Sequence, residues 1–560
     1  MKSCRKLLSV VLTVMLLASL GAGAMAAAIG VRRFLKETGT LETLAVAAGD
    51  AVYTAAQADL GLMDYAALLD LLRDCPNGKI VHGSKTLKTM GLSMENIRED
   101  TELLAYLLEP ARSGYDPVPL AEAWCGVSYP DTPGGNAAAI QRLGEKLPSL
   151  VAEAGMERVY REIDLPLCPV LSEMEQAGIA VDREALKAFG AMLQARISDC
   201  ESLIYQYAGG PFNINSPKQL GTLLFETLGL PHGKKTKTGW STNIEVLESI
   251  RDRHPVVQAV IDYRMLTKLH STYAEGLLKV IAPDGRIHTT FQNTVTATGR
   301  LSSTDPNLQN IPVRTELGGE FRKMFVAPEG MVLVDADYSQ IELRVLAHIS
   351  GDEAMREAFR SGEDFHTHTA AQVFGVPAEQ VTAQMRRSAK AVNFGIVYGI
   401  SAFSLAQDID VRPAEAKEYM DEYLRRYSGV REYMKTIVEQ AKRDGYVATL
   451  WGRRRELPEL RSPNRNMRAF GERVALNMPI QGTAADIIKL AMIRVNNRLK
   501  SECPEAKLVL QVHDELIVEC PEEEAEAVCG ILREEMENVA ALSVPLTVEV
   551  KAARTWAEAH

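Results

Sequence analysis

The sequence predicts a multidomain α/β protein, and three observations carry that prediction. The chain has 560 residues, too many for one ordinary core when a domain averages about 150 residues. Residues 41–162 mix short apolar runs with helical periodicity, the pattern of a separate α/β module. Beyond them, long helical stretches alternate with strand signals that end in aspartates. Hydrophobic residues make up 46% of the chain with no long low-complexity tract, which excludes disorder as a global description.

In chain order, Lys2, Arg5 and Lys6 precede an apolar run at 7–20 and small residues at 21–28 that include Ala24, Met25 and Ala26. This is the layout of a secretory signal, and it is short for a membrane span. A buried helix or a misassigned gene start are the alternatives. The module at 41–162 shows helical patterns at 65–72 and 101–108 and a loop at 129–135, with no catalytic constellation. An amphipathic helical pattern then covers 163–204. Ser216 before Pro217 is a helix start, and 254–281 is a long amphipathic helix. Residues 205–290 thus read as a helical lobe, whose Lys/Thr/Gly loop at 234–239 is suited to a phosphate backbone. Strand-like alternation follows at 287–291, then a turn-rich stretch at 298–312. A β-run at 331–334 ends in Asp335, Ala336 and Asp337. Helical patterns dominate 341–442, and near the end 508–512 and 516–518 flank His513, Asp514 and Glu515 as a hairpin.

The net charge of −11 taken as a sum argues against nucleic acid, because phosphate contacts come from Lys and Arg. The distribution differs from the sum. Lys234, Lys235 and Lys237, then Arg386, Arg387 and Lys390, then Arg453, Arg454 and Arg455 are basic clusters set apart from acidic runs such as Glu522, Glu523 and Glu524. The eight cysteines are scattered without zinc or disulfide spacing.

Three constellations carry chemistry. V-D-A-D-Y-S-Q-I-E-L-R at 334–344 sets a carboxylate at the end of an apolar strand, where a hard divalent cation can reach it; the plain alternative is a helix N-cap. V-H-D-E-L at 512–516 puts two acids in a tight turn, where like charges raise each other's pKa unless a cation sits between them. Pairing that turn with Asp337 would make the two-carboxylate clamp of in-line phosphoryl transfer. R-R-S-A-K-A-V-N-F-G-I-V-Y-G at 386–399 repeats Arg386, Lys390, Phe394 and Tyr398 every fourth residue, one face of a helix. Cations followed by aromatics on one face suit a nucleoside triphosphate, with core packing as the alternative.

In this order and spacing the three stretches resemble motifs A, C and B of the family A DNA polymerases, the bacterial DNA polymerase I type. The resemblance runs from about residue 163 to the C-terminus and includes T-A-T-G-R-L-S-S-T-D-P-N-L-Q-N-I-P at 296–312 and N-M-P-I-Q-G-T-A-A-D at 477–486. It implies a template-directed DNA polymerase acting in repair or gap filling, with primer-template DNA and dNTPs as partners and two Mg²⁺ ions, Mn²⁺ being a possible substitute. Asp337 and Asp514 match its metal-binding carboxylates, the Tyr338 carbonyl a further ligand, and Glu515 an auxiliary acid. Glu342 matches the gate that excludes a 2′ hydroxyl. Gln340, His366, Arg386, Lys390, Phe394 and Tyr398 match the nucleotide site, with Lys390 the general acid for departing pyrophosphate and Phe394 implying rejection of dideoxynucleotides. Arg300, Asn307, Arg473, Asn477, Gln481, Gln511 and His513 match duplex contacts. The fold implied is a right hand: an antiparallel palm sheet, a helical thumb near 205–290 and fingers near 355–465, all within 163–560.

The same resemblance places a 3′→5′ exonuclease-like, RNase H-like domain at 29–162. That region lacks a D-x-E start, and Leu87 stands where an essential aspartate aligns. The expectation is a degenerate domain without proofreading, with Asp100 and Thr101 as a relic, and no room for a 5′ nuclease domain, which with ligase would come from separate proteins. A monomer in the cytoplasm, at the nucleoid, fits the need for dNTPs and template better than export. Two other readings stay open: a primer-template binding protein without catalysis, and an exported nucleic-acid-binding protein resting on residues 1–28 alone.

Overall fold

The computed structural model of the protein describes residues 27–35, 40–49, 51–60, 62–233, 235–236, 239–312 and 316–560. The signal-like stretch up to residue 26, and Lys234 and Lys237 of the basic loop, lie outside the described residues. The chain divides into two compact units. The first holds the residues up to Ala177 together with Phe291–Ser303 and Val334–Ala552; the second holds Gly178–Thr290, Thr304–Leu333 and Ala553–His560.

The first unit opens on a five-stranded sheet of β1 (Ala27–Leu35), β2 (Thr40–Ala48), β3 (Ala51–Ala56), β4 (Lys79–Val81) and β5 (Ile97–Asp100), in the order β3-β2-β1-β4-β5. The pairs β1–β2 and β2–β3 are antiparallel; β1–β4 and β4–β5 are parallel. The period of two along β2 divides its side chains between two cores. Leu44 and Val46 join Tyr65, Leu68, Leu72 and Leu87 on one face, while Ala45 and Ala47 join Ile80, Ala137 and Ile140 on the other. The small residues admit close contact, and at Gly144 an added Cβ would stand 2.5 Å from Ile80. Helix α1 (Thr101–Leu108) leaves β5 directly, and α2 (Pro133–Glu153) starts with Thr132 as N-cap and proline in its first turn.

The helical pattern read across 163–204 is two helices. One, α3 (Leu165–Ala177), ends before Gly178, whose φ of 60° only glycine adopts freely; α4 (Arg183–Ala208) follows. The break is where the chain passes between units, so the helical second unit begins at Gly178, ahead of the expected lobe boundary at 205. Within that unit α4 packs along α5 (Pro255–Lys268).

The remainder of the first unit is built on a four-stranded sheet. Its strands are β6 (Met331–Tyr338), β7 (Lys507–Val512), β8 (Glu515–Pro521) and β9 (Val548–Ala553), in the order β7-β8-β6-β9. All seven residues of β8 are buried, and β6 is buried from Val332 to Ala336, as their near-continuous apolar sequences require. Around this sheet stand α6 (Ile341–Ser350), α7 (Phe365–Phe374), α8 (Ala383–Val397) and the 38-residue α9 (Arg465–Glu502). No helix among the described residues is long and apolar enough to cross a membrane.

Candidate active site

Asp337 is the penultimate residue of β6. It is not a helix cap: the N-cap of α6 is Gln340, three residues on, in the left-handed region at φ 55° and without a side-chain cap bond. Asp514 sits in the two-residue turn between β7 and β8, where Val512 pairs Glu515. The turn needs His513 at φ 53°, a conformation that His tolerates better than most residues. The Tyr338 N–H donates to the Asp514 carbonyl at 3.2 Å, so the strand end bearing Asp337 and the turn bearing Asp514 are neighbours. The Tyr338 ring is buried, its hydroxyl donating to the Met536 carbonyl at 2.6 Å. Arg344 fixes the start of α6 by donating to the carbonyls of Ser339 (2.7 Å) and Pro545 (2.6 Å).

Electrostatically this corner is crowded with acids. Burial, then Glu342 and Glu515, push the Asp514 carboxyl up to about 6. Glu515 itself is buried on β8. The nearby cation is Arg300, which pairs with Glu342, and the other Glu342 oxygen accepts from the Tyr398 hydroxyl at 2.9 Å. Arg300, Glu342 and Tyr398, predicted separately, thus meet in one contact.

Three members of the expected stripe lie on α8, and Tyr398 is its C-cap. Arg386 forms a two-pronged pair with Asp364, at 2.7 and 3.0 Å. The Lys390 ammonium stands 6.0 Å above the Phe394 ring, and the His366 ring lies 5.9 Å from it. Burial holds His366 down at about 4, so its imidazole is neutral near pH 7. Thr369 donates to Asn393 Oδ1 at 3.2 Å, which turns the Asn393 amide toward His366 Nδ1 at 3.0 Å. With Nδ1 accepting, Nε2 bears the proton and is left as a neutral donor. A cavity of about 630 Å³ is lined by Phe394, Tyr398, Gly399, Ser401, Asp408 and Arg473, among others.

Arg473, Asn477 and Gln481 recur every fourth residue on α9, one face of the helix. Gln511 is buried on β7, where its amide donates to the His513 carbonyl. Asn307 belongs to the second unit, where its side chain caps the short turn Leu308–Asn310.

Sequence reasoning missed Asp364 and Asn393, which orient Arg386 and His366. Asp364 carried a signal, a D-x-x-T helix start just ahead of His366; Asn393, beside Phe394, carried none. It also missed a fully buried charge cluster. Arg453 pairs with Asp164 at 2.8 and 2.9 Å and with Asp486 at 2.8 Å, and Lys489 reaches Asp164 at 2.9 Å. Burial would raise Asp164, but Arg453 and Lys489 together hold it at about 2. In the sequence Arg453 reads as part of a basic cluster and Asp486 closes the 477–486 stretch, but nothing local pairs them with Asp164 and Lys489; the four come together only in the fold.

Comparisons with known proteins place the chain in a family. The model for DNA polymerase family A matches residues 183–558. DNA polymerase I of Caldicellulosiruptor bescii is 50% identical over 465 residues, covering 82% of this chain and 55% of that protein. DNA polymerase I of Geobacillus stearothermophilus is 48% identical over 496 residues, 84% of this chain and 57% of that protein. The chain therefore spans about half the length of the curated relatives it matches. A solved structure of the POL domain of Pol1 from M. smegmatis, in complex with DNA primer-template and dNTP, superposes with a TM-score of 0.91 at 40% identity, covering 98% of this chain and 97% of that one. This chain belongs to DNA polymerase family A.

Proposed function

We propose that the chain is a template-directed DNA polymerase that adds deoxynucleotides to a primer 3′ hydroxyl in repair or gap filling. The observation that carries this is the Tyr338–Asp514 backbone bond, which brings the strand end bearing Asp337 and the turn bearing Asp514 together at one end of a buried sheet. The donor set there fits hard divalent cations: carboxylate oxygens of Asp337 and Asp514 with the Tyr338 carbonyl. The raised Asp514 carboxyl is the signature of a site whose charge a cation would relieve. Two Mg²⁺ ions, with Mn²⁺ as substitute, would when bound activate the primer hydroxyl and neutralise the leaving pyrophosphate.

The protein's own groups do the rest. Arg386 and Lys390 hold the triphosphate, Arg386 exchanging its Asp364 partner for phosphate oxygens. Neutral His366 donates from Nε2, and Lys390 passes a proton to the pyrophosphate. Phe394 packs on the sugar, and Tyr398 occupies the templating position until closure of the 355–465 fingers. Glu342, held by Arg300 and Tyr398, meets the sugar where a 2′ hydroxyl would stand, and Gln340 lies beside it. Arg300, Asn307, Arg473, Asn477, Gln481, Gln511 and His513 follow the duplex, with Glu515 near the primer end. Residues 205–290 act as the thumb.

The N-terminal module is a degenerate exonuclease-like domain in this reading. The β3-β2-β1-β4-β5 sheet, antiparallel on one side and parallel on the other, is the strand arrangement of an RNase H-like fold. Leu87 is buried in its apolar core, the neighbouring Lys85 ammonium is committed to Glu175 at 2.6 Å, and the Asp100 carboxylate accepts four backbone N–H groups. None of the three side chains is disposed to hold a catalytic metal. In this reading the enzyme works as a monomer in the cytoplasm at the nucleoid.

The test is extension of a 5′-labelled primer on a template with Mg²⁺ and four dNTPs, with Asp514→Ala alongside and one lane without dNTPs. Full-length product from the wild type alone, and an unshortened primer in the dNTP-free lane, support both assignments. Duplex binding without extension would move the assignment to a non-catalytic primer-template binding protein.

A further inference from the structure

We propose that helix α1 of the N-terminal module is a brace for the polymerase site: Glu102 and Tyr106 hold the 294–300 turn and thereby aim Arg300 at Glu342. The inference rests on the polymerase reading above.

Glu102 and Tyr106 are one helical turn apart on the same face of α1. The Tyr106 hydroxyl, fully buried, donates to the Thr296 carbonyl at 2.7 Å. Its ring is fixed edge-on against Tyr115, with centroids 6.1 Å apart and planes at 87°. Glu102 accepts from the Thr294 hydroxyl at 3.0 Å. The turn is closed on itself as well: the Thr296 hydroxyl donates to the Arg300 carbonyl at 2.7 Å, and Gly299 adopts φ 87°. A Cβ at Gly299 would lie 2.6 Å from Arg453 Nε, and Arg453 is immobilised by Asp164 and Asp486. The segment is thus pinned at Thr294 and Thr296 by α1 and backed at Gly299 by the buried charge cluster.

What this rigid turn presents is Arg300, whose guanidinium meets Glu342 while Glu342 meets Tyr398. An arginine on a long flexible stem selects one partner only if its backbone is fixed, since side-chain ordering otherwise opposes the pair. Glu102 and Tyr106 touch neither nucleotide nor metal. They are positioning residues, and they give a module without exonuclease carboxylates a reason to remain packed on the chain.

The experiment uses the full chain with Tyr106→Phe, which keeps the ring packing and removes one hydrogen bond, and Glu102→Gln as a second, milder variant. Hydrogen–deuterium exchange of residues 294–300 is expected to quicken about fivefold in Tyr106→Phe, the value of one buried hydrogen bond. Selection of dNTP over the matching ribonucleotide is expected to fall by a similar factor, through a lower ribonucleotide KM with the dNTP kcat nearly unchanged. That loss should vanish in the Arg300→Ala background, as coupled residues require. Unchanged exchange at 294–300 in both variants, or faster exchange with sugar selection intact, overturns the brace. A wild-type chain that copies no template overturns the polymerase reading instead, and the exchange result identifies that case because it needs no activity.

Discussion

Two aspartates in the first unit share one local grammar and meet different surroundings. Asp100 ends β5 immediately before α1, and Asp337 stands near the end of β6 ahead of α6. At Asp100 the helix begins on the next residue, so its carboxylate is drawn into the N-terminus, accepting from Glu102 and Leu103 as well as from Gly83 and Ser84. At Asp337 the helix begins four residues later, at Ile341 with Gln340 as its N-cap, and capping is not the aspartate's task. Asp337 instead shares its sheet end with Asp514, whose carboxyl rises to about 6. A strand–aspartate–helix motif therefore does not announce a metal ligand. The offset between aspartate and helix start, and the second acid across the sheet, make the difference.

The largest effect that would sharpen this contrast is on stability. Asp164→Asn strands Arg453 and Lys489 in the interior, leaving Asp486 as their one carboxylate partner among the described residues, and breaking such a buried pair costs about 3–5 kcal/mol. Denaturant titration should show that loss. The same carboxylate gives an acid signature. Its folded pKa of about 2 lies below the ordinary 3.8, so its contribution is present above pH 4 and is lost as pH falls toward 2, by about 2 kcal/mol. The wild type should weaken over that window, and Asp164→Asn should show a flatter acid limb.

Next in size, Asp100→Ala leaves four N–H groups without their acceptor, two of them at the α1 N-terminus, for a loss of about 3 kcal/mol. Primer extension at a temperature where the variant is folded should stay within a few-fold of wild type. A thousandfold loss of extension there would break the comparison by making Asp100 catalytic.

Asp514 titrates in the other direction. Its pKa is raised, so in the metal-free protein its protonated form favours the fold below pH 3.8, and that contribution is lost as pH rises through about 6. A cation must displace the proton. The Mg²⁺ concentration for half-maximal extension should climb about tenfold per unit below pH 6, and the Mg²⁺-induced gain in Tm should be larger at pH 7.5 than at pH 5. Equal gains at both would contradict the assignment of Asp514 as a ligand.

The smallest expected effect concerns Arg386. Asp364→Asn frees the guanidinium from a partly exposed pair, a change of about 1 kcal/mol or less. The dNTP KM should shift no more than about fivefold with kcat little altered, read from steady-state kinetics at fixed primer-template.

Much of this architecture was legible in the sequence where local rules decide it. The apolar run at 331–334 and the four-residue stripe of 386–398 appear as β6 and α8 with its C-cap, and the turn expected at 513–515 is the β7–β8 turn at 513–514, with Glu515 already paired in β8. The unbroken helical pattern across 163–204 was less faithful, because amphipathic periodicity continues on both sides of Gly178 while the backbone turns there. Illegible altogether were contacts between residues far apart in the chain. Asp164 with Arg453, Asp486 and Lys489, and Tyr106 with Thr296, depend on packing that no window of sequence contains.

The most direct test of the central claim is single-turnover extension of a labelled primer by Asp337→Ala, Asp514→Ala and Asp100→Asn side by side with wild type, with duplex affinity measured in parallel. The account predicts losses of about a thousandfold or more for the first two, the several kcal/mol a metal supplies, with duplex binding kept and Asp100→Asn extending at the wild-type rate. Extension by either Asp337→Ala or Asp514→Ala at near wild-type rate would contradict it.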